Sequence, residues 1–548
     1  MKYILKNPWL LIIVIPAWIL NLLPTFFDGQ YGCVNNECGY ILGSNFGDGS
    51  WFKAVTAVSF QNFPFQMPNY AGEILKGYHY LPNLIAFIFT KAGIPFDFTI
   101  HKLFPLIYLS LITVILINLA NIIGRSTFFV FIFLFFYFFG MHLSIFTSIY
   151  HFGEIRNGAL INTFQSTRIL ESPHLALALI GMFYILFLLY KESGDGFKNN
   201  IKIGIILFLI VGTKFYVAFS TIIILAFHGL LKFIENKNIK SFLLKIVIYS
   251  SFLIVSIFLF YNPLSSTSSG NIFTFSPFTT TFHLIESPDL FYWNDVVLAR
   301  YFLEENGLSP RLISIYLFTS LLFFIYYFGT RFIGFFYFLN INKVKSLSIT
   351  EKAISISILL SCILSITLLQ KGDWYNPIQF AVPAAFLLNI FVAKFLYQIY
   401  KNYRLISIFL IPVLMMLTLI ANLVNLNYIN SSSRVVISFD EKNALDFLKN
   451  QPFGTIFTPP QKNDAPYIAA YSEKPLFANF FNTLENAGID FSERKKIYEN
   501  KFLPNKNQID YIYLKKLEHN DYLHICNNKN INILLENDVI IICKYEKI

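Results

Sequence analysis

The side chain best placed for chemistry in this sequence is the carboxylate of Asp48, which stands between two glycines in Gly47-Asp48-Gly49-Ser50. It belongs to a long polar stretch that follows the first apolar segment. An amphipathic run begins directly after it, with Trp51, Phe52, Val55, Val58 and Phe60. A run of this kind is typical of a helix lying along a bilayer surface. The sequence therefore predicts a carboxylate held at the boundary between membrane and water.

Asp48 also has a purely structural interpretation. Gly-Asp-Gly-Ser is a favourable turn sequence, and aspartate frequently caps a following helix, here one predicted over 50–60. One residue can fill both roles, so the two interpretations stay open. Asp28 is a poorer candidate because it stands directly at the exit of the first apolar segment.

Motifs of several other chemistries are missing from the sequence. It contains no Gly-x-x-x-x-Gly-Lys-Ser/Thr phosphate loop and no His-Glu-x-x-His zinc helix. This argues against ATP-driven transport and zinc proteolysis. The serines and histidines are too scattered to form a recognisable nucleophilic triad.

Composition places these residues on a membrane protein. The chain has 548 residues, 55% of them hydrophobic, and apolar runs long enough to cross hydrocarbon recur along it. Its formal charge of +10 lies mainly in short connections between apolar segments, as membrane orientation requires, and does not indicate nucleic-acid binding. We predict about eleven transmembrane helices. They lie near 8–26, 102–123, 127–149, 173–190, 201–213, 216–233, 243–261, 311–337, 353–370, 376–398 and 405–426.

Basic residues assign the sides of the membrane. Lys2 and Lys6 precede the first span, so the positive-inside rule predicts a cytoplasmic N-terminus. The stretch 81–93 is apolar but short, which indicates an interfacial or re-entrant helix. Lys214 leaves open whether 201–233 forms two spans or one bent helix. The segments predicted outside are 28–101, 150–172, 262–310, the turn 370–375 and the tail.

The fold class predicted is therefore an α-helical polytopic membrane protein with a small C-terminal α/β extracytoplasmic domain. Residues 1–426 form the transmembrane domain with its first outer loop 28–101, and residues 427–548 form the second domain. The tail alternates helical and β-rich patterns. Its helices are predicted over 440–451 and 490–502, and its strands over 454–458, 509–514, 530–535 and 538–545.

Four of the five cysteines fall in segments predicted outside, and only Cys362 lies in a span. Cys33 with Cys38, and Cys526 with Cys543, fit two disulfides in an oxidising compartment. A metal site is the alternative for the first pair, but only His79 and His101 are available there as further soft ligands, at irregular spacing. Reduced thiols also remain an open interpretation.

The first outer loop resembles that of the polytopic glycosyltransferases of the C fold (GT-C). The resemblance lies in an N-terminal span, an early acid at Asp48, and the stretch from Gly77 to Leu84 leading to a short helix and Gly93. It extends as a hydropathy plan over essentially the whole chain. The tail resembles that of uncharacterised bacterial members in Ala444-Leu445-Asp446-Phe447-Leu448-Lys449, Thr458-Pro459-Pro460 and Arg494.

This resemblance implies a sugar transfer on the outer face of a bacterial inner membrane, from a polyprenyl-phosphate-linked donor to a saccharide, lipid or protein acceptor. Asp48 matches the family's general base. The loop lacks the paired acids of some relatives, and Gly49 stands where a second acid is often found. This argues against a bound divalent metal, and no cofactor is implied beyond the lipid-linked donor.

Cationic partners for the leaving phosphate are sought in the second outer loop, because arginine offers a fixed fork of donors. Arg168 is the preferred ligand, with a membrane anchor or an ion pair with Glu171 as the structural alternative. Lys214 is a further candidate since a charge between apolar segments needs a partner. The other candidates are Glu154, Arg156 and His174, together with His79, whose neighbours Tyr78 and Tyr80 are ordinary interfacial residues.

Two other classes of function remain open at this stage. A transporter or flippase of lipid-linked saccharides would need ionisable groups within the spans, and few are present besides Lys214 and Arg331. A non-catalytic cell-envelope assembly protein would act through its tail and would tolerate replacement of Asp48.

Overall fold

The fold is taken from a computed structural model. It describes residues 6–34, 37–43, 46–153, 165–191, 196–261, 273–288, 290–370, 376–423, 435–460, 466–528 and 531–545.

Helices make up most of the described chain. In order they are α1 Leu11–Phe26, α2 Phe46–Ala54, α3 Leu81–Lys91, α4 Phe96–Gly124, α5 Thr127–Phe139, α6 Ser144–Phe152, α7 Pro173–Tyr190, α8 Phe197–Val211, α9 Phe215–Asn236, α10 Ile239–Tyr261, α11 Thr279–Glu286, α12 Asn294–Glu305, α13 Pro310–Phe328, α14 Ile341–Lys345, α15 Ile349–Thr367, α16 Ala381–Asn402, α17 Arg404–Ala421, α18 Phe439–Lys449, α19 Tyr467–Ser472, α20 Phe481–Asn486 and α21 Ser492–Glu499. A 3₁₀ helix, Gly329–Leu339, continues α13.

The strands are short and form three sheets. In order they are β1 Gln30–Val34, β2 Glu37–Gly43, β3 Phe273–Phe275, β4 Leu368–Gln370, β5 Val435–Ile437, β6 Ile456–Phe457, β7 Tyr511–Lys515, β8 Ile531–Glu536 and β9 Ile540–Tyr545. The sheet orders are β1-β2-β5, β3-β4 and β6-β7-β9-β8.

The chain forms two compact units, each built from separate stretches of sequence. The helical unit comprises Met1–Pro24, Pro105–Ser256 and Phe273–Asn430. The mixed unit comprises Thr25–Phe104, Ile257–Ile272 and Ser431–Ile548. The first outer loop and the tail, which the sequence analysis assigned to different domains, thus belong to one compact unit.

Ten of the eleven predicted spans each coincide with one helical segment, and the span predicted over 127–149 is divided between α5 and α6. In the described ranges, eight helices are long and apolar enough to cross a membrane, or nine if α5 and α6, bent by 47°, count as one span. The prediction of a polytopic α-helical membrane protein is confirmed, and the chain is an integral membrane protein. Residues 201–233 contain two helices, α8 and α9, which are separated at Gly212–Lys214.

The core of the helical unit is organised around α16, whose side chains are mostly buried by protein. It packs against α5, α15, α17 and the 3₁₀ segment 329–339. Gly334 allows this close approach, because an added Cβ would lie 3.0 Å from the side chains of Leu388 and Val392. Small residues serve this purpose between membrane helices, where burial of apolar area from water does not drive packing.

The mixed unit joins the first outer loop to the tail through backbone hydrogen bonds. Strand β5 of the tail pairs with β2 of the loop, which is itself the second strand of the hairpin β1-β2. Farther along, the Ala71 N–H donates to the Leu476 carbonyl at 2.8 Å, and the Asn479 N–H donates to the Asn69 carbonyl at 3.0 Å. The elements predicted for the tail are present, but they complete a core shared with the loop.

That shared core buries α2 and the π-helical turn Val55–Ser59 that continues it, which corrects one prediction. Trp51, Phe52, Val55, Val58 and Phe60 are all less than 10% exposed. Ala54 and Val58 belong to the same apolar cluster as Leu445, Ile468 and Tyr513 of the tail. The prediction that this run lies along a bilayer surface is wrong, because residues on every face of the helix are covered by protein.

Both cysteine pairs named from the sequence are joined. Cys33 is bonded to Cys38 across the β1-β2 hairpin, and Cys526 is bonded to Cys543 on β9. Cys362 is a buried free thiol in the helical unit.

Candidate functional site

Asp48 lies in the first turn of α2. The helix begins at Phe46, so Asp48 is inside it and is not the residue before it. The helix predicted over 50–60 therefore starts too late, and the capping position inferred for Asp48 is wrong. An acid is favoured both at the cap and in the first turn, where it interacts with the helix dipole, so the sequence does not separate the two positions. The side chain of Asp48 lies outside the described part of the structure.

The same helix carries a buried cation. Lys53 is only 2% exposed, and its Nζ lies 2.7 Å from Oδ1 of Asp97. The ammonium also donates to the hydroxyl of Tyr471 at 2.6 Å and to the carbonyl of Leu42 at 3.4 Å. A buried ammonium requires such compensation, because removing its hydration costs several kcal/mol, as an order of magnitude.

Asp97 is the centre of this group of side chains. It accepts hydrogen bonds from the hydroxyl of Tyr40 and, at 3.5 Å, from that of Tyr471. The Nε2 atom of His101 lies 3.7 Å from Oδ1 of Asp97. The carboxylate thus faces one ammonium and two hydroxyls, which come from β2, α2 and α19.

The two tyrosines act as fixed donors. Burial raises the pKa of the Tyr40 hydroxyl far above its usual range, and the nearby Asp97 carboxylate raises it further. Burial and then Asp97 likewise raise the pKa of Tyr471. Both hydroxyls therefore keep their protons at physiological pH and remain donors to the carboxylate.

A cavity of about 550 Å³ opens beside these residues within the mixed unit. Tyr40, Lys53, Asp97 and Tyr471 all line it. This volume falls in the range of about 300–1,000 Å³ that is common for small-molecule sites. The cavity is therefore large enough to admit a ligand.

Two further ion pairs of the tail line the same cavity. Lys442 donates to Oδ2 of Asp446 at 2.6 Å within α18. Lys449 lies 2.7 Å from Glu473. The cavity wall thus combines several cations with carboxylates that neutralise them.

His79 lies outside this cavity wall. Its ring stacks on Tyr78 with the centroids 4.9 Å apart, and Tyr78 in turn packs edge-on against Trp51 of α2. The neighbouring Tyr80 donates to the carbonyl of Leu259 at 2.9 Å. His79 itself is partly exposed, so this segment has an aromatic packing role while its imidazole stays accessible.

The remaining predicted residues belong to the helical unit. Glu154 and Arg156 lie outside the described residues. The backbone of Arg168 belongs to the 3₁₀ turn Ser166–Glu171, and its side chain is not among those described. His174 is buried in the first turn of α7 and interacts electrostatically with Lys214, which directly precedes α9. The structure thus brings His174 and Lys214 together.

The helical unit also contains a fully buried arginine. Arg331 donates to Oε1 of Gln165, the residue that precedes the 3₁₀ turn 166–171. Its Nε donates to the carbonyl of Phe328 at 3.3 Å. Among the described residues, its Nη1 has no hydrogen-bond partner and no carboxylate pairs with the guanidinium. Gly140 is needed beside it, since a Cβ there would lie 2.5 Å from Cδ of Arg331.

Metal ligands are not grouped in the part of the chain that the structure describes. No set of three His, Cys, Asp or Glu side chains in those ranges is arranged to hold an ion.

The sequence analysis missed Tyr40, Lys53, Asp97 and Tyr471 as a group. Asp97 carried a usable signal, because an acid inside the apolar stretch Pro95-Phe96-Asp97-Phe98 requires a partner. Tyr471 carried none, since a tyrosine in a mixed tail segment is unremarkable in sequence.

Comparison with known proteins gave no match to any family model and no match among curated proteins. Solved structures do resemble the chain. The oligosaccharyltransferase of Archaeoglobus fulgidus in complex with Zn and sulfate is 14% identical, over 94% of this chain and 69% of that one, with a TM-score of 0.49. AglB from the same organism, in complex with an inhibitory peptide and a dolichol-phosphate, is 13% identical over 93% and 70%, with a TM-score of 0.48.

ArnT from Cupriavidus metallidurans, bound to undecaprenyl phosphate, is 9% identical over 98% of both chains, with a TM-score of 0.46. These neighbours are GT-C membrane glycosyltransferases. TM-scores below 0.5 do not by themselves decide the fold or the activity of this chain.

Proposed function

We propose that this chain is an inverting membrane glycosyltransferase that takes its sugar from a polyprenyl-phosphate carrier. The observation that carries the proposal is the place of Asp48, in the first turn of α2 and in the loop after the first apolar helix. Residues 50–54 of α2 are buried in the mixed unit, so protein packing holds this helix in place. A catalytic carboxylate benefits from such a rigid support.

Asp48 is the general base of the proposed reaction. Its carboxylate takes the proton of an acceptor hydroxyl while that oxygen forms a bond to the anomeric carbon of the sugar. The bond from this carbon to the phosphate oxygen breaks, and polyprenyl phosphate leaves with the bonding electrons. Attack on the face opposite the phosphate inverts the configuration. A positioned base of this kind contributes about 10²- to 10⁴-fold to the rate.

Arg168 is proposed as the main partner of the leaving phosphate, with Arg156 as a second cation of the same segment. The electrostatic interaction between Lys214 and His174 supports a role for these two residues, which stand at the starts of α9 and α7. Glu154 and His79 are proposed to contact the sugar or the acceptor.

The proposed setting is a bacterial inner membrane, with the N-terminus in the cytoplasm and the mixed unit outside. The two disulfides of the mixed unit support this orientation, since disulfides persist in oxidising compartments.

Sugar transfer by the purified protein in nanodiscs tests the function. The assay supplies a mixed pool of polyprenyl-phosphate-linked sugars and compares the wild type with Asp48→Asn. We expect the variant to lose at least about 100-fold in rate, because asparagine cannot accept the proton. Asp521→Asn, which removes an exposed carboxylate of the same unit, is the matched control and should keep full activity.

Two results would count against the proposal. Equal transfer by the wild type and Asp48→Asn would remove Asp48 from the reaction. Binding of the lipid carrier without transfer by any variant would favour a transporter or an assembly protein.

A further inference from the structure

The cavity of the mixed unit has no part in the proton transfer and phosphate departure described above. Its wall is nevertheless built from buried, hydrogen-bonded polar side chains, with Lys53, Asp97 and Tyr471 held by mutual contacts of 2.6–3.5 Å. Burying charged groups in this way is costly, so such clusters are frequent at binding sites. The chemistry of the wall indicates which ligand would fit.

The polar wall offers both donors and acceptors. The carboxylate of Asp97 accepts hydrogen bonds, the ammonium of Lys53 donates them, and a tyrosine hydroxyl can do either. Gln61 adds a side-chain amide to the same wall. A ligand hydroxyl is also both donor and acceptor, so a molecule with several hydroxyls matches this wall better than one carrying a single kind of group.

Charge pairing argues against an anionic ligand in this cavity. Lys53, Lys442 and Lys449 each lie within 2.7 Å of a carboxylate oxygen. Lys102 donates to the carbonyl of Phe26 and also interacts electrostatically with Asp28. The remaining lining lysine, Lys91, is exposed and lies over the ring of Phe87 at 5.3 Å. A phosphate would have to compete with the carboxylates already bound to these cations, whereas a neutral ligand would not.

The cavity lining also has an apolar part. It is formed by Phe87 near the end of α3 and by Ile94, Pro95, Phe96 and Phe98 around the start of α4. Aromatic and aliphatic side chains provide a surface for the C–H face of a sugar ring. A lining that combines polar and apolar side chains is thus suited to a pyranose, which has hydroxyls at its edge and C–H groups on its faces.

We propose that this cavity binds the neutral saccharide part of the acceptor. Identifying this ligand as the acceptor rests on the proposed glycosyl transfer. The donor carries a phosphate, which the paired lysines do not favour, so the neutral saccharide is assigned to the acceptor. Binding itself does not depend on transfer. Lys53 also links the two sites, since it lies on the same helix as Asp48.

Saturation-transfer NMR on the full chain in nanodiscs tests the proposal. The neutral probes are cellobiose and N,N′-diacetylchitobiose, and the anionic probes are glucose 6-phosphate and inorganic phosphate. We expect signals from at least one neutral disaccharide and weaker ones from both anions. Ala57→Leu fills the cavity from the side of α2 and should weaken saccharide binding about tenfold, which corresponds to about 1.4 kcal/mol.

A second variant and a control keep the test decisive. Thr90→Leu fills the cavity from α3, and the side-chain hydrogen bond that it breaks is to the carbonyl of Ala86 in its own helix. It should weaken binding as Ala57→Leu does, and it decides the test if Ala57→Leu does not fold. Ala487→Leu makes the matched change at the end of α20, away from the cavity lining, and should bind like the wild type.

Three outcomes would overturn the inference: no binding of either neutral disaccharide, tighter binding of an anionic probe, or unchanged binding in both cavity-filling variants. Asp48→Asn separates this inference from the proposed function, since it should lose transfer and keep saccharide binding. Saccharide binding by a wild type that transfers no sugar would leave the cavity site standing and refute the transferase.

Discussion

The two units of the molecule bury a cation in different ways. In the mixed unit, Lys53 is paired with the carboxylate of Asp97 and with the hydroxyl of Tyr471. In the helical unit, Arg331 is fully buried, and in the described part of the chain it donates hydrogen bonds only to neutral oxygens, those of Gln165 and Phe328. The first cation belongs to a neutral pair, and the second keeps its net charge.

This difference follows from the chemistry of the two cationic groups. An ammonium is a compact, strongly hydrated charge and needs an anion when it is buried, whereas a guanidinium is delocalised, weakly hydrated and well matched to neutral carbonyl oxygens. The mixed unit therefore has a charge-balanced wall suited to a neutral ligand. Arg331 instead fixes Gln165 at the start of the turn that carries Arg168.

The largest effect should come from removing the anion of the first pair. Asp97→Leu leaves Lys53 buried without a counter-ion and should cost about 3–5 kcal/mol of unfolding free energy. Unfolding by SDS in mixed micelles measures it. A loss below about 1 kcal/mol would show that Lys53 does not depend on this carboxylate.

Removing both charges should restore much of that loss. The double variant Lys53→Met with Asp97→Leu replaces a buried ion pair by apolar groups, which is frequently neutral for stability. We expect it to regain at least half of the stability that Asp97→Leu loses, measured in the same micelles. A double variant as unstable as the single one would mean that shape, and not charge balance, holds this site together.

The converse test gives Arg331 a carboxylate partner, as Lys53 already has in Asp97. Gln165→Glu should raise the unfolding free energy by about 1 kcal/mol, because a hydrogen bond between two ionised groups replaces one in which only the guanidinium is charged. Gln165→Leu is the control and should lower the free energy by a similar amount. If Gln165→Glu and Gln165→Leu lower the unfolding free energy equally, the site requires the neutral side-chain amide of Gln165.

The last effect concerns a buried group that carries no charge at neutral pH. Burial, and secondarily Lys515, lower the pKa of His519 from 6.5 to about 4, and its Nδ1 accepts the N–H of Lys515 at 3.1 Å. The unfolded chain therefore binds this proton first as the pH falls. Stability should be unaffected at pH 7 and should be lost between pH 6.5 and 4, by about 1 kcal/mol near pH 5.5.

His519→Asn keeps a hydrogen-bond acceptor without the titration, so it should remove this part of the acid sensitivity. Thermal unfolding midpoints of both proteins at several pH values check the expectation. Parallel pH profiles for the wild type and the variant would contradict it.

Part of the candidate site could be predicted from sequence, because some of its signals are local. Asp48 stands out through its two glycine neighbours and the amphipathic run that follows, and the structure confirms a helix there. The environment of that helix could not be predicted. Whether an apolar face meets lipid or protein depends on what packs against it, and here the covering residues come from the tail, such as Leu445 and Ile468.

The sequence by itself determined the apolar helices, the short elements of the tail and the class of membrane protein. Those features depend on apolar runs and on hydrophobic periodicity within a few residues. Such local patterns decide which side chains can be buried in lipid or protein. Only the tertiary structure decided that Tyr471 meets Lys53 across 418 positions of sequence and that both face Asp97. Contacts between residues so far apart in sequence produce no hydrophobic periodicity, because they form where distant segments of the chain pack into one core.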